Sequence, residues 1–434
     1  MLARLDLRGF DGDLAAALAR PASDDAGVLD VVRTIIADVR ERGDIALREL
    51  TERLDGCRID ALRVPAEEVA SALANATNEL RAALEYAHGE ITAYHEAQLM
   101  PEVVLDRGGV QLRELVVPVD RAGAYVPGGR ANYPSTVLMT AVPARIAGVP
   151  QVVLCVPPDA TGSVPSATLA AAAVAGVDEV YRVGGAQAIA AMAFGTESIR
   201  AVDVIVGPGN AYVAAAKREV SGMVGIESLA GPSEIVVIAD ATATPDLVAI
   251  DLLAQAEHGP DGGAILITWD ETLAAAVDRA VEQLTAVAPR RDEIQANLSV
   301  GGRIVIVEGA EQALAVSNAI APEHLELMTA DPDALVPLVR NAGAVFCGPW
   351  APAAVGDYVA GVNHVLPTAG TARFASALRV DDFRKHVHVV TLDEAALRRV
   401  APHVLALAEV EGLAEHGRSV ALRTDPAALR TDPS

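Results

Sequence analysis

Residues 252–263, LLAQAEHGPDGG, combine two side chains that could ligate a metal ion. Gln255 and His258 lie three residues apart, so they would share one face of a helix, and Gly259-Pro260 would end that helix. An amide oxygen and a neutral imidazole at a helix end could form half of a metal site. The same pattern is also typical of an ordinary helix C-terminus with a histidine near the negative end of the helix dipole.

Two further segments carry candidate metal or substrate ligands. In GDYVAGVNHVLPT (356–368) the glycines and the proline indicate a loop, and a carboxylate and an imidazole, Asp357 and His364, lie seven residues apart. An Asx-type turn beside a solvated histidine would explain that segment equally well. In EVEGLAEHGRSV (409–420), Glu411 and His416 would diverge by about 140° on a helix. A solvated helix face is the simpler interpretation of this last pair when it is taken alone.

Two segments suit proton transfer and the binding of a polar ligand. APEHLELM (321–328) places Glu323 beside His324 just before an apolar strand, and both types of side chain carry protons well. Neighbouring side chains on an extended segment point to opposite sides, so both could serve one site only if the backbone bends there. In AGPSEIVVIAD (230–240), Ser233 could bind a polar ligand at a strand edge or could be a turn serine. The chain has no GxSxG motif, so a serine nucleophile of that kind is not supported.

Three glycine-rich turns could accept a nucleotide: YVPGGR (125–130), VGGAQAIAA (183–191) and VGPGNAYVAAAK (206–217). Each stands between a strand and a helix or polar loop, where glycine lets the backbone approach a phosphate at a helix N-terminus. None has the GxGxxG or GxxxxGK[ST] spacing, so ordinary tight turns fit these segments as well.

The elements that must position these residues follow a regular rhythm. Residues 25–100 have helical spacing, with one helical segment ending at Gly56. From about residue 112, short β-branched runs alternate with Ala-rich helical stretches, a pattern that predicts parallel α/β sheets. The runs are QVVLCVPP, SATLAAAAVAG, DEVYRVGG, AQAIAAMAFG, AVDVIVGPG, NAYVAAAKREV, SEIVVIAD, DLVAIDLLAQAEHG, AILITWD and RIVIVEG.

Composition restricts the class of protein. The 434 residues are 51% hydrophobic but only 3% aromatic, so the cores must be built from Ala, Val, Leu and Ile. The formal net charge of -24 disfavours nucleic acid and anionic membranes as partners. Only Lys217 and Lys385 are lysines, so chemistry that needs a lysine has few places to occur.

Cysteine usage and the N-terminal segment indicate a cytoplasmic protein. Cys57, Cys155 and Cys347 are widely spaced, which predicts no disulfide framework and fits a reducing compartment. The first residues have no apolar h-region, and no run reaches the roughly 18 apolar residues that a membrane helix needs.

Taken in order, these segments resemble the histidinol dehydrogenase family over roughly residues 25 to 420. The matching segments are RAGAYVPGG, VGGAQAIAA, VGPGN-YVAAAK, AGPSE, QAEHGPD, APEHLE, GDY-AG-NHVLPT, GTARFAS and EGL-EHG. A series of separated motifs in fixed order is far more specific than any one of them. One loop, PTAGTARFASALRV, has less glycine than is usual in relatives, which bears on loop flexibility and not on the chemistry.

The resemblance implies a fold with two Rossmann-like α/β domains of parallel-rich sheets and a small helical N- and C-terminal tail region. The predicted division is an N-terminal arm at 1–20, a first α/β domain at 21–123 and 233–377, a second α/β domain at 124–232, and a C-terminal tail domain at 378–434.

The resemblance also implies the site residues. The expected Zn²⁺ ligands, for one ion per subunit, are Gln255, His258, Asp357 and His416, and the expected catalytic pair is Glu323 and His324. The expected substrate contacts are Ser233, Gln255, His258, Glu323, His324, Asp357, His364, Glu411 and His416. The expected NAD contacts are Tyr125, Gln187 and Asn210.

By the same resemblance, the chain is expected to oxidise L-histidinol to L-histidine through L-histidinaldehyde, using two NAD, in the last steps of histidine biosynthesis. It is expected to be a cytoplasmic homodimer in which the C-terminal tail, with Glu411 and His416, serves the partner's site. No nucleic acid and no membrane is expected as a partner.

Two rival interpretations stay open at this point. An aldehyde-type dehydrogenase would need a cysteine thiolate beside the nicotinamide. Cys155 lies inside an apolar strand, so Cys347, at a strand end in AVFCGPW, is the better candidate. A non-catalytic, two-lobed binding protein for a metal or an amino acid is the other rival, and the absence of a signal sequence disfavours a periplasmic one.

Overall fold

The computed structural model describes residues 2–18, 25–128, 132–229, 231–259 and 262–425. The chain divides into two compact units. The first comprises Met1–Gln98 and Val119–Phe383, and the second comprises Leu99–Pro118 and Arg384–Ser434.

The elements are numbered in chain order. The strands are β1 Ala3–Asp6, β2 Val104–Asp106, β3 Val110–Pro118, β4 Arg121–Tyr125, β5 Gln151–Val156, β6 Glu179–Arg182, β7 Val204–Val206, β8 Gly225–Ile226, β9 Glu234–Ala239, β10 Gly263–Thr268, β11 Gly302–Ile306, β12 His324–Met328, β13 Ala344–Cys347 and β14 Arg384–Leu392. The helices are α1 Leu14–Ala17, α2 Asp25–Arg42, α3 Asp44–Leu54, α4 Ala66–Ala74, α5 Asn78–Glu96, α6 Pro134–Ile146, α7 Ser166–Val174, α8 Gly185–Phe194, α9 Ala211–Val220, α10 Pro245–Ala256, α11 Glu271–Val287, α12 Arg291–Gly301, α13 Ala310–Ile320, α14 Ala353–Tyr358, α15 Glu394–Val410 and α16 Ala414–Thr424. Short 3-10 turns occur at Val336–Leu338, Thr371–Arg373 and Val380–Phe383.

A five-stranded parallel sheet in the first unit has the order β6-β5-β4-β7-β8. A helix follows each of the strands β4 to β7, as the alternation of β-branched and Ala-rich segments predicts. The order in which strands are added to the sheet reverses at β4: β5 and β6 lie on one side of it, and β7 and β8 lie on the other. We call this place the reversal point of the sheet. Ligands of such sheets bind at the carboxyl ends of the strands where this reversal occurs. Here those ends are Tyr125 of β4 and Gly207, which follows β7.

A six-stranded parallel sheet in the same unit has the order β1-β11-β10-β9-β12-β13. Its reversal point lies between β9 and β12. Residues 3–6 of the predicted N-terminal arm form the edge strand β1, which pairs with β11 from Ala3↔Arg303 to Asp6↔Ile306. The last two residues of that arm, 19 and 20, lie outside the described residues. The prediction of an α/β fold with parallel-rich sheets is confirmed.

The helical segment that ends at Gly56 consists of two helices, α2 and α3. They are separated by Gly43, whose φ of 52° lies in the left-handed region that favours glycine. A side-chain carbon at this position would also collide with the carboxylate of Glu197. The break lets α2 and α3 both pack against α8 of the five-stranded sheet.

The second unit contains an antiparallel sheet of order β14-β3-β2 together with α15 and α16. Strand β14 pairs with β3 along its whole length, from Arg384↔Pro118 to Leu392↔Val110. Residues 99–118 belong to this unit, although the predicted division places them within 21–123; that four-part division stays a prediction. None of the helices in the described part of the chain has the length and apolar character needed to cross a bilayer.

Candidate active site

A pocket of about 1130 Å³ in the first unit is lined by residues from the elements of both parallel sheets. Pockets for a single small molecule usually measure about 300–1,000 Å³. The volume therefore leaves room for two ligands side by side. Nine of the predicted site residues line the pocket: Tyr125, Gln187, Asn210, Ser233, His258, Glu323, His324, Asp357 and His364.

The amino ends of β9 and β12 carry the predicted catalytic and serine residues to the pocket. Ser233 directly precedes β9, Glu323 directly precedes β12, and His324 is the first residue of β12. The two strands are parallel neighbours, with His324 opposite Ile235, so segments 90 residues apart begin at the same edge of the sheet. This sheet therefore presents its amino edge to the pocket, whereas the five-stranded sheet presents its carboxyl edge.

The chain turns twice before it enters β12. Ala321 ends α13 with a φ of 51°, in the left-handed region that non-glycine residues seldom adopt, and Pro322 follows. The backbone bends again at Glu323, and the side chains of Glu323 and His324 both line the pocket.

Glu323 is buried and held by a short chain of hydrogen bonds. The hydroxyl of Ser233 donates to Oε2 of Glu323, and Nε2 of Gln255 donates to that hydroxyl at 2.8 Å. Burial raises the pKa of Glu323 above its usual range, and the neighbouring His324 and the Ser233 hydrogen bond offset only part of this. Such a carboxyl group can exchange a proton nearer to neutral pH than an exposed one can.

His324 is 5% exposed, and neither of its ring nitrogens makes a hydrogen bond within the described residues. Its Nε2 lies 3.5 Å from Oδ1 of Asp357, and its Nδ1 lies 3.9 Å from Oε2 of Glu323. Burial alone would lower the pKa of His324, but the two carboxylates outweigh it and raise that pKa to about 9. A buried histidine without fixed hydrogen bonds is poised to act on a ligand.

Asp357 and His364 are tied together by the loop between them. Asp357 lies in the last turn of α14, and Nδ1 of His364 donates to its main-chain oxygen at 2.8 Å. That bond leaves Nε2 of His364 facing the hydroxyl of Thr136 at 3.2 Å. Burial raises the pKa of the Asp357 carboxyl, but the imidazole of His324, whose Nε2 lies 3.5 Å from Oδ1 of Asp357, outweighs this, so the pKa is lowered overall.

The loop that carries His364 is anchored from behind by residues that the sequence analysis did not single out. Asn363 donates from Nδ2 to the main-chain oxygen of Met139 at 2.7 Å, and the same nitrogen lies 3.3 Å from Nε2 of His95. His95 is wholly buried, and its Nδ1 donates to the main-chain oxygen of Ile91 at 2.8 Å. Its other nitrogen is therefore the acceptor for Asn363. A histidine at an otherwise apolar helical position is the signal that could have identified this anchor.

Gln255 and His258 occupy the C-terminal end of α10. Gln255 is buried behind Ser233, and His258 follows the helix and reaches the pocket. Nδ1 of His258 lies 3.2 Å from the main-chain oxygen of Gln255, which leaves its Nε2 as the available ligand nitrogen. Of the predicted helix stop, Gly259 has the positive φ of 140°, and Pro260 lies outside the described residues.

The four predicted zinc ligands do not all lie in the first unit. His258 and Asp357 line the pocket, and Gln255 lies behind Ser233, to whose hydroxyl it donates a hydrogen bond. His416 lies on α16 of the second unit, and Glu411 precedes that helix; both residues are exposed. Within the described residues, no three His, Cys, Asp or Glu side chains are grouped so that they could hold a metal ion. The donors that are present, an amide oxygen, an imidazole and a carboxylate, are those that zinc accepts.

The predicted nucleotide contacts surround the reversal point of the five-stranded sheet. The hydroxyl oxygen of Tyr125 accepts a hydrogen bond from the main-chain nitrogen of Gly185 at 3.0 Å, at the start of α8. Gln187, in the first turn of that helix, is 1% exposed, and its Oε1 has no hydrogen-bond partner within the described residues. No side chain of the described residues caps the N-terminus of α8, an arrangement that suits an anionic ligand such as a phosphate.

The third predicted nucleotide contact, Asn210, lies in a loop that a buried ion pair holds in place. Asn210 caps α9, accepting from the nitrogens of Tyr212 and Val213 at 3.0 and 3.1 Å. Below this loop, Nζ of Lys217 lies 2.7 Å from both carboxylate oxygens of Glu227 and 3.2 Å from the main-chain oxygen of Gly207. Oε1 of Glu227 in turn accepts from the nitrogen of Gly207 at 2.7 Å. Both peptide groups of Gly207 are thus bound to the pair.

Gly207 has to be a glycine at this position. Its φ is 118°, and a side-chain carbon there would overlap the main-chain oxygen of Tyr125. The loop can be recognised in the sequence but the ion pair cannot, although the scarcity of lysine is a signal, since one of only two lysines is buried here. Of the other glycine turn, YVPGGR, residues 129 and 130 lie outside the described residues, as does Ala230 of AGPSE.

The cysteines do not support a thiolate mechanism. No cysteine is among the described residues that line the pocket. Burial raises the pKa of Cys347, and it raises the pKa of Cys155 to about 12. A cysteine nucleophile needs the opposite shift.

Comparisons with known proteins agree over almost the whole chain. A family model described as "Histidinol dehydrogenase" matches residues 18–424. A histidinol dehydrogenase from Rhizobium meliloti is 49% identical, over 95% of this chain and 96% of its own length. One from a Synechococcus species is 52% identical, over 90% of this chain and 91% of its own. The crystal structure of histidinol dehydrogenase from Elizabethkingia anophelis has a TM-score of 0.94 at 35% identity, with 99% of both chains covered.

Proposed function

We propose that the pocket is the active site of a histidinol dehydrogenase, since this chain belongs to that family. The family oxidises L-histidinol to L-histidine with NAD in the last steps of histidine biosynthesis. One observation carries the assignment. A buried Glu323–His324 pair, with Asp357 and His364 beside it, lies in the same pocket as the reversal point of a parallel sheet, where dinucleotides bind.

We propose that Gln255, His258 and Asp357 hold one Zn²⁺ per subunit. Two of these ligands are the Nε2 of His258, which the hydrogen bond at Nδ1 leaves available, and the carboxylate of Asp357. The Nε2 of Gln255 already donates to Ser233, so its Oε1 would be the ligand atom. When bound, the zinc would supply an anchor for the imidazole and amino nitrogens of the substrate, which fixes the carbinol carbon in position.

The proton transfers then fall to His324 and Glu323. His324 would accept the proton of the carbinol hydroxyl, and bound NAD would supply the oxidant that removes hydride from the same carbon to give the aldehyde. Glu323 activates a water molecule that adds to the aldehyde carbon. After releasing the first proton to solvent, His324 would accept a proton from the resulting hydrate, and a second NAD would serve as the oxidant that removes the second hydride and leaves the acid. Asp357 is one cause of the raised pKa of His324, and a metal held by Asp357 would offset that charge and so favour the neutral imidazole that a base requires.

Ser233 and His364 complete the substrate site by position. Ser233 holds Glu323, and His364 is held against Asp357, so both lie where the polar groups of an amino alcohol would be bound. The nucleotide would bind along Tyr125, Gln187 and Asn210, with a phosphate at the uncapped start of α8.

We propose that the enzyme is a homodimer and that His416 of the partner subunit supplies the fourth zinc ligand, with Glu411 of the partner subunit at the substrate. The support is that both residues are exposed and that the first unit has only three of the four expected ligands. We further propose a cytoplasmic location, since all three cysteines are free thiols.

The decisive experiment measures NADH and zinc together. Purified enzyme is given limiting L-histidinol and excess NAD, and NADH is counted by its absorbance. We expect two NADH per histidinol and one zinc per subunit, with activity lost on chelation and restored by Zn²⁺. One NADH per substrate would contradict the four-electron reaction, and full activity of a zinc-free protein would contradict the metal site.

A further inference from the structure

One carboxylate that lines the pocket has a buried oxygen with no hydrogen-bond partner among the described residues. Asp55 directly follows α3, and its main-chain nitrogen donates to the oxygen of Thr51. Its side chain lines the pocket, and its Oδ2 is buried with no hydrogen-bond partner within the described residues. Burial raises the pKa of Asp55 to about 6, and no neighbouring cation counteracts it.

Asp159, a second acidic residue that lines the pocket, has hydrogen-bond donors within its own loop. Oδ1 of Asp159 accepts from the nitrogens of Thr161 and Ser163 at 2.8 and 3.1 Å and from the hydroxyl of Thr161 at 2.6 Å. Those bonds lower the pKa of Asp159. Asp159 is exposed and yet paired, whereas the buried oxygen of Asp55 is not; because buried polar groups are nearly always paired, an unpaired one indicates a partner that arrives with a ligand.

The surroundings of Asp55 indicate which part of a ligand it would meet. Val31, Ile35 and Leu54 line the same pocket from α2 and α3, and these helices pack against the helices of the five-stranded sheet. The charge of Asp55 also acts on Tyr125, at the reversal point of that sheet. An apolar wall beside one hydrogen-bond acceptor fits an aromatic base joined to a sugar with free hydroxyls.

The charge of the pocket favours a sugar without a phosphate at this place. None of the described residues that line the pocket is Arg or Lys. A carboxylate accepts hydrogen bonds from ribose hydroxyls but repels a phosphate group on the same ribose, and a nearby Arg would be the usual partner of that phosphate.

We propose that Asp55 is a specificity-determining residue that accepts hydrogen bonds from the adenosine ribose of the dinucleotide and excludes a 2′-phosphate. This role rests on the proposed use of NAD by this pocket. It assigns the pocket's α2–α3 side to the adenosine half of the cofactor.

The test is equilibrium binding of dinucleotide fragments, measured by titration calorimetry on the whole purified enzyme. The variants are Asp55→Asn and Asp55→Ala, and the control is Asp60→Asn, which removes the same charge from an exposed position outside the pocket. We expect ADP-ribose to bind Asp55→Ala roughly tenfold to a hundredfold more weakly than the wild type, as for the loss of hydrogen bonds to a charged group. Nicotinamide mononucleotide, which lacks the adenosine half, should bind all four proteins equally.

A second readout compares NADP with NAD. The ratio of their dissociation constants should shift towards NADP by about tenfold in Asp55→Asn, because the repulsive charge is gone, and should not change in Asp60→Asn. Thermal unfolding of each variant checks its fold, and Asp55→Asn should be at least as stable as the wild type, since it loses an unpaired buried charge.

The outcomes separate the two proposals. Wild-type ADP-ribose affinity and an unchanged NADP-to-NAD ratio in both folded variants would overturn the role of Asp55 and leave the proposed function intact. If the wild type bound neither NAD nor ADP-ribose, both proposals would fail.

Discussion

At the scale of single residues, the site depends on side chains whose burial and charges oppose one another. Burial works against charge on both Glu323 and His324, yet the negative groups around His324 outweigh burial and raise its pKa to about 9. Both groups therefore hold a proton more readily than exposed side chains of the same types, which suits them to proton transfer at neutral pH. No described residue makes a hydrogen bond to the ring of His324, so both of its nitrogens are available to a ligand.

Glu323→Gln should separate the two half-reactions. The amide keeps the size of the side chain and can still accept from Ser233, but it cannot activate water. We expect aldehyde oxidation to fall by about 10²- to 10⁴-fold, the usual contribution of a positioned general base, with a much smaller loss in the first hydride transfer. Single-turnover NADH formation from histidinol, compared with turnover of the aldehyde, measures this.

The matched control is Glu311→Gln, the same change on an exposed turn of α13, which should leave both rates unaltered. Equal losses in the two half-reactions of Glu323→Gln would argue against its action on water.

At the scale of elements, two parallel sheets meet the pocket with opposite edges. The five-stranded sheet offers the carboxyl ends of β4 and β7, as sheets of this kind generally do. The six-stranded sheet offers the amino ends of β9 and β12, where Ser233, Glu323 and His324 lie. Cofactor and substrate groups can therefore approach each other from two separate scaffolds, and the loops at each edge need firm anchors.

The Lys217–Glu227 pair is such an anchor, and its removal should have a clear cost. Lys217→Met leaves the carboxylate of Glu227 buried and unpaired, so we expect a loss of about 3–5 kcal/mol in the free energy of unfolding. The double variant Lys217→Met/Glu227→Leu should recover most of this, because no charge is left buried. Its affinity for NAD should nevertheless stay reduced, since both peptide groups of Gly207 lose their partners.

Urea denaturation and NAD titration measure the two effects. The control is Arg398→Met, which breaks an exposed ion pair with Glu394 and should cost less than about 1 kcal/mol. If Lys217→Met lost no more stability than Arg398→Met, the buried pair would not stabilise the fold. If the double variant bound NAD with normal affinity, the pair would not position the loop.

At the scale of the whole molecule, the predicted ligands are divided between the two compact units. Gln255, His258 and Asp357 belong to the first unit, and His416 belongs to the second, where it is exposed. The proposed homodimer would complete each site with a residue from the other subunit. If the sites are shared, a dimer of two different inactive variants can contain one complete site, which is impossible if each subunit forms its own site.

Mixing two inactive variants should restore activity. In a dimer of a His416→Asn subunit with a Glu323→Gln subunit, the first subunit keeps its own Glu323 and receives an intact His416 from the second. Random reassortment of subunits should therefore recover roughly a quarter of wild-type activity, because half of the dimers are mixed and each has one complete site. Each variant mixed with itself is the control, and no recovery after verified mixing would mean that the sites are not shared.

The sequence by itself determined the elements and the chemical types at the site. The alternation of β-branched and Ala-rich segments predicted β5, α7, β6, α8, β7 and α9, because such periodicity reflects local burial that each short segment encodes alone. The pairing of Glu323 with His324 and the glycine at position 207 could also be found in the sequence. The family resemblance supplied the remaining site residues, whose positions the chain fills.

Only the tertiary structure decided which of these groups meet. Ser233 reaches Glu323 across 90 residues because β9 and β12 are neighbours in register, and no local pattern specifies which strands pair. For the same reason the sequence did not reveal the His95–Asn363 anchor, the Lys217–Glu227 pair, or the unpaired carboxylate of Asp55. A side chain's partners and its burial depend on contacts between distant segments, and those contacts exist only once the sheets have assembled.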